Sequence, residues 1–315
     1  MTEPLLAALA VPAGLLLDRW LGEPRRAHPL VAFGRVAAAL EARLNGCAGS
    51  NVGRGVLAVL LLVVPPVAAA MALTVLLPAW AWFPIATLML YLAIGGRSLA
   101  EHGRAVSGPL RCGDTDTART AVRALVSRDA ARLDEAGIAT AATESMLENG
   151  ADAVFASLFW FVIGGLPALV AHRAVNTLDA MWGYRGTRYN AFGRCAAQLD
   201  DVLGWAPARL TALSYALCGR TGAALRCWRQ QAQDWDSPNA GPVMAAGAGA
   251  LEVVLGGPAP YAEGIRQRPP LGTGITASAA HIDAAIALVH RCVGLWAGVI
   301  VTTGGLAWAW RTAAA

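Results

Sequence analysis

Apolar residues run almost unbroken over 55–77 and again over 79–95, and runs of this length predict helices that cross a bilayer. Pro65-Pro66 is expected to kink the first run, and Pro78 separates the two. A third run at 289–310, bordered by tryptophan, predicts another span. The run 4–17 is short for a bilayer and is broken by Pro12 and Gly14, so it predicts a tilted or half-inserted first helix. Residues 153–171 are apolar enough to span but are interrupted by Gly164-Gly165 and Pro167, which predicts a broken or re-entrant segment. The stretch 207–218 is shorter and predicts an interfacial or buried helix. In 118–149, Val122, Leu125, Val126, Leu133 and Ile138 recur at roughly helical spacing with arginines on the other faces. That predicts amphipathic helix, with Gly137 closing one helix and opening the next. From Gly219 to Ala280 the chain is polar, rich in Gly and Pro, and soluble in character. The expected fold is all-α: one polytopic, membrane-embedded domain over 1–315 with helical cytoplasmic loops and a Gly/Pro-rich polar segment.

Composition agrees, with 56% hydrophobic and only 15% charged residues. All 25 basic residues are arginine. Without lysine there is no Schiff-base amine and no Walker-type phosphate loop. A net charge of +4 spread over loops lacks the dense basic blocks of a nucleic-acid binder. The loops 19–54 and 97–152 hold most arginines of the first half, so both are expected on the cytoplasmic side. Six cysteines without a CxxC pair read as free thiols in a reducing environment. The N-terminal run lacks a basic flank and a small-residue cleavage site and is expected to be retained.

The candidate chemistry centres on Glu144 to Arg185. Glu144, Glu148 and Asp152 stand at i, i+4 and i+8, one face if the segment is helical. Like charges at that spacing oppose a helix, so either a divalent cation or arginine partners must answer them. Mg²⁺ suits one or two carboxylates plus phosphate oxygens. Arg128, beside Asp129, is either an anion clamp or part of a surface ion-pair net. Asn176 and Asp179 share a helical face near Tyr184, Arg185 and Arg188, suited to a metal or hydroxyl group or to ordinary capping. Asp200-Asp201 is a further acidic pair. Asp236-Ser237-Pro238-Asn239-Ala240-Gly241 reads as a turn that either cradles an anion or simply turns the chain. The five histidines show no ligand spacing; His28 and His102 alone lie near candidate sites.

Read in order, DRWLGEPRRAHPL, GRSLAEHGRAV, LVSRDAARLD, ESMLENGAD, HRAVNTLDAMWGYRGTRYNAFG, AAQLDDVLGWAPARLTA and SPNAG followed by LGGPAPY resemble the CobD/CbiB cobalamin-biosynthesis proteins over about residues 18–275. The resemblance implies a multi-pass protein of the inner (plasma) membrane with its active site on the cytoplasmic face. It implies an ATP- and Mg²⁺-dependent ligase that joins aminopropanol, or its phosphate, to the corrinoid adenosylcobyric acid as an amide. On that basis Glu144, Glu148, Asp152 and Asp179 are assigned to Mg²⁺, with Glu144, Glu148, Asp179 and Arg128 catalytic. Asn149, Asn176, Tyr184, Arg185, Arg209, Ser237, Asn239 and His28 are assigned to substrate. Implied partners are the corrinoid, the amine, membrane lipid, and further copies of the chain or other corrinoid enzymes, with no nucleic acid. The alternative is a non-catalytic membrane signalling modulator of the AmpE type. Three departures stand out: Gly150 and Ala153 where the pattern has Thr and Gly, Pro242-Val243-Met244 where it has Trp-Pro-Glu, and Gly-Glu-Pro for Gly-Asp-Pro.

Overall fold

The structure is a computed structural model that describes residues 4–24, 26, 28–45, 51–126, 128–184, 188–261 and 264–314. In chain order the helices are α1 (Pro4–Leu21), α2 (Pro29–Leu44), α3 (Val52–Leu76), α4 (Ala79–Ile94), α5 (Gly96–Arg111), α6 (Thr115–Val122), α7 (Glu135–Asn149), α8 (Ala156–Trp182), α9 (Arg194–Cys218), α10 (Thr221–Gln231), α11 (Ala240–Leu251) and α12 (Ala279–Ala313). The strands β1 (Val253–Gly256), β2 (Ala259–Tyr261), β3 (Gly264–Arg266), β4 (Pro270–Gly272) and β5 (Ile275–Thr276) all lie between α11 and α12. The protein is an all-helical membrane protein to which these short strands add little.

Among the described residues four helical stretches are long and apolar enough to cross a membrane: Val52–Leu76, Ala79–Arg111, Glu135–Trp182 and Ala279–Ala313. The runs 79–95, 153–171 and 289–310 fall inside them, and 55–77 does so up to Leu76. Residues 4–17 and 207–218 do not. Pro12 does not break α1, which is one helix of 18 residues, and Gly14 lets it pack on Leu90 of α4. Residues 207–218 are the second half of the 25-residue α9 rather than a short helix. The expected break at Gly164-Gly165 is present: Gly165 has φ +63°, and Pro167 follows as helical winding resumes within α8.

The reading of 118–149 as helix parted only at Gly137 is corrected. Arg123 begins a turn, a 3₁₀ turn covers Ala130–Arg132, and α7 starts at Glu135. Two aspartates set these boundaries. The Asp129 carboxylate accepts from Ala131 N at 3.2 Å, and Asp134 caps α7 by accepting from Gly137 N at 2.8 Å. Gly137 therefore sits in the first turn of α7.

The chain divides into two compact units. The first comprises Met1–Gly95, Ala156–Gly204 and Ala297–Ala315. In it α3 packs on α8 and α1 on α4, around Trp82 stacked near Phe161 and Trp182 set edge-on to Phe192. Gly55 of α3 meets the Phe192 carbonyl so closely that an added Cβ would lie 2.0 Å from its oxygen. Gly55→Ala is accordingly expected to destabilise by about 1–3 kcal/mol, read as a lower thermal midpoint in detergent.

The second unit comprises Gly96–Phe155 and Trp205–Trp296. Its centre is α11, a Gly/Ala-rich helix buried along most of its length. Small residues let neighbours approach: Gly247 admits Leu147 of α7, and Gly249 lies against the Ala223 carbonyl of α10. After α11, β1 pairs antiparallel with β4 and parallel with β5, while β2 and β3 form a separate hairpin. The segment read as soluble thus contains a buried helix as well as polar turns. Among the described residues Cys112, Cys195, Cys218, Cys227 and Cys292 are free thiols.

Candidate active site

The second unit holds a cavity of about 380 Å³. Glu144 of α7 lines it and is 2% exposed. Burying a carboxylate demands pairing and hydrogen bonds, and Glu144 has both. Arg128 donates to its Oε2, Arg268 donates Nη1 to Oε2 at 2.9 Å and Nη2 to Oε1 at 3.2 Å, and Gly256 N donates to Oε1 at 2.7 Å. Of the two answers the acid ladder allowed, Glu144 takes arginine.

Local structure places each partner. Asp129 N donates to the Pro260 carbonyl at 3.1 Å, which ties the turn bearing Arg128 to β2. Arg268 donates Nε to the Gly257 carbonyl at 3.1 Å and lies over the Trp235 ring at 5.3 Å. Gly256 has φ +76°, and a Cβ there would lie 2.1 Å from the Pro269 carbonyl oxygen, so the backbone turn that aims its N–H at Glu144 needs glycine. Burial works against the charge on Arg128, but the Glu144 carboxylate and the neighbouring Tyr261 outweigh it and hold its pKa above the ordinary value.

Glu148 lines the same cavity one turn along α7, and has no hydrogen-bond partner among the described residues. Arg266, ion-paired with Asp236, adds a third guanidinium, and Ser145, Ser237 and Tyr261 add hydroxyls. Met244 also lines the cavity, so the departure from Trp-Pro-Glu falls within the site. Gly150, where the pattern has Thr, sits 3.0 Å (as an added Cβ) from the Tyr215 hydroxyl, which donates to the Leu147 carbonyl at 2.9 Å. A larger side chain there would need this contact to shift.

The remaining sequence candidates fall elsewhere. The α-helix gives way at Gly150–Phe155 to a π-helical segment, whose wider turn takes Asp152 out of the i+8 register; it does not line the cavity. Asn149 is exposed and donates to the Ser145 carbonyl at 2.9 Å. Asp179 belongs to the first unit, where Asn176 accepts from Arg173 at 3.1 Å and donates to Asp200 at 3.3 Å. Burial holds Asp200 above its ordinary pKa, with the Asn176 hydrogen bond opposing and Asp201 adding. His28 is the N-cap of α2, its Nδ1 accepting from Leu30 N at 3.2 Å. Tyr184 is exposed just past α8, and Arg185 lies outside the described residues. Ser237 accepts from Asn239 N and Ala240 N at 3.3 and 3.2 Å, and Asn239 accepts from Arg209 at 3.0 Å, so the turn is knit to itself and to α9. Sequence reasoning missed Arg268, Arg266, Trp235 and Tyr261.

Among the described residues no three His, Cys, Asp or Glu side chains gather as a metal shell. Within the second unit Glu144, Glu148 and Asp152 do not form one. Glu144 is committed to its arginines, so the cavity fits Mg²⁺ that arrives already held by phosphate oxygens, and Glu148 stays free to exchange a proton. The guanidinium donors that Arg128 and Arg266 do not use in their ion pairs fit the phosphates of ATP.

A membrane-spanning helical protein with a polar cavity of arginines around a buried glutamate is suited to an anionic ligand handled at a membrane. Comparison with known proteins narrows that class. Residues 11–289 match the family described as CobD/Cbib protein. The Cobalamin biosynthesis protein CobD of Stutzerimonas stutzeri is 55% identical over 95% of this chain and 98% of its own length. The protein of the same description from Chromobacterium violaceum is 52% identical over 93% and 95%, and that from Mycobacterium tuberculosis 41% over 93% and 94%. No solved structure matches. The chain belongs to the CobD/CbiB family, and its role lies in cobalamin biosynthesis, which implies a corrinoid substrate.

Proposed function

We propose that the chain is an amide-forming ligase of the inner membrane that joins aminopropanol, or aminopropanol phosphate, to the carboxyl arm of adenosylcobyric acid, with its cavity facing the cytoplasm. The observation that carries this reading is the pairing within one cavity of Glu148, without a hydrogen-bond partner, and guanidiniums anchored by Glu144. An acyl transfer to an amine needs both a receptor for negative charge and a base for the amine proton. A volume of about 380 Å³ admits the side arm and the amine but not the corrin ring.

When bound, ATP with Mg²⁺ supplies phosphoryl activation of the carboxyl and screening of phosphate charge. Arg128 and Arg266 hold the oxygens on which negative charge gathers. Glu148 accepts a proton from the amine as its nitrogen bonds to the acyl carbon and phosphate leaves. Arg268, held by Glu144 and Trp235, keeps the wall in place.

Purified protein in detergent, given a corrinoid acid, aminopropanol phosphate, ATP and Mg²⁺, is expected to yield the amide by mass spectrometry. A lack of product with either amine would favour a non-catalytic role. Tags placed in 19–54 and in 97–152 are expected to report the same, cytoplasmic side of the membrane; accessibility from opposite sides would overturn this orientation.

A further inference from the structure

A second cavity of about 510 Å³ lies in the same unit and shares Trp235 and Asp236 with the first. Its wall carries two indoles, Trp228 and Trp235, and two guanidiniums, Arg209 and Arg229. Its acid, Asp236, is already ion-paired with Arg266.

The two arginines differ. Arg209 is fixed: it lies over the Trp205 ring at 4.5 Å and donates to the Trp205 and Pro238 carbonyls and to Asn239 Oδ1, each at 3.0 Å. Those bonds use Nη1 and one Nη2 hydrogen, so Nε–H and the other Nη2 hydrogen are uncommitted. Arg229 is exposed and has no hydrogen bond or ion pair among the described residues. A ligand that answers all four side chains has a flat aromatic ring for an indole face and anionic oxygens for the guanidiniums. That is the chemistry of a nucleotide.

We propose that this second cavity is a nucleotide lobe, with a purine ring on Trp228 and phosphate oxygens on Arg209 and Arg229. The shared wall at Trp235 and Asp236 brings the phosphate chain to the arginines of the first cavity. The inference rests on the ligase reading only in naming the nucleotide's use; the lobe itself is tested by binding alone. It also gives the Ser237-Pro238-Asn239 turn a purpose, since two of Arg209's anchors come from that turn.

The test is calorimetric titration of the purified chain in detergent with ATP, with inorganic triphosphate and with a corrinoid acid, each without the other substrates. Trp228→Leu is expected to weaken ATP binding about tenfold or more, from the lost stacking, and to leave triphosphate binding within twofold. Arg229→Gln is expected to weaken both. Thermal midpoints matching the parent chain establish that the variants fold; Trp228→Phe, which keeps a ring, is expected to restore most ATP affinity. ATP affinity unchanged in Trp228→Leu and Arg229→Gln overturns the lobe and leaves the ligase reading standing. A loss of corrinoid affinity in place of ATP affinity overturns it too, by giving the cavity to the corrin. A parent chain that forms amide but binds no ATP overturns the lobe alone; one that binds ATP through Trp228 yet forms no amide supports the lobe and sinks the ligase.

Discussion

Glu148→Gln is expected to lower amide formation by about 10²–10⁴-fold, the range for loss of a positioned acid–base group, while the protein stays folded in detergent. Glu148 makes no hydrogen bond to the described residues, so its replacement breaks no contact that holds α7. The amide keeps the shape and volume of the acid but cannot take up a proton at neutral pH. Product formed per minute at saturating amine is the measurement, with the thermal midpoint alongside. If the loss is in proton transfer, raising pH recovers part of the rate, because free amine then reaches the acyl carbon already deprotonated. Turnover within a fewfold of the parent chain would remove Glu148 from the chemistry.

Glu144→Gln is expected to act in the opposite way, through stability. The substitution leaves Arg128 and Arg268, whose side chains are 9% and 8% exposed, without a counter-charge. Removing one member of a buried ion network costs about 3–5 kcal/mol. The expected readout is poor yield and a thermal midpoint lowered by many degrees. Replacing all three with apolar residues of similar size, Glu144→Met with Arg128→Met and Arg268→Met, is expected to restore much of the stability and none of the activity. A Glu144→Gln protein as stable as the parent would show that the three side chains are not a closed electrostatic set.

The membrane spans are legible because an apolar run of 20 residues has few alternatives to crossing a bilayer. The break at Gly164-Gly165 is legible for a related reason: only glycine adopts the backbone seen at Gly165 without strain. The helix boundaries in 118–149 were misjudged because Asp129 and Asp134 sit among apolar residues at helical spacing, yet act as caps. The acid ladder assumed unbroken α winding, and the π segment from Gly150 cancels that assumption for Asp152. Arg268 was out of reach for a different cause. Its partner lies 124 positions earlier, and RQRPP in a polar stretch carries no periodicity to announce it. Glu148 and Arg128 were found by residue type and spacing, but the network that separates their roles exists only in three dimensions.

That separation along the chain bears on how the protein is made. A ribosome that has finished Glu144 has made an acid and one arginine of the network, and the second arginine emerges only after the helices up to α11 have been synthesised. Until then the half-built protein carries a carboxylate with only part of its counter-charge and no closed wall. The network closes late in synthesis, when the polypeptide folds back on its own earlier portion.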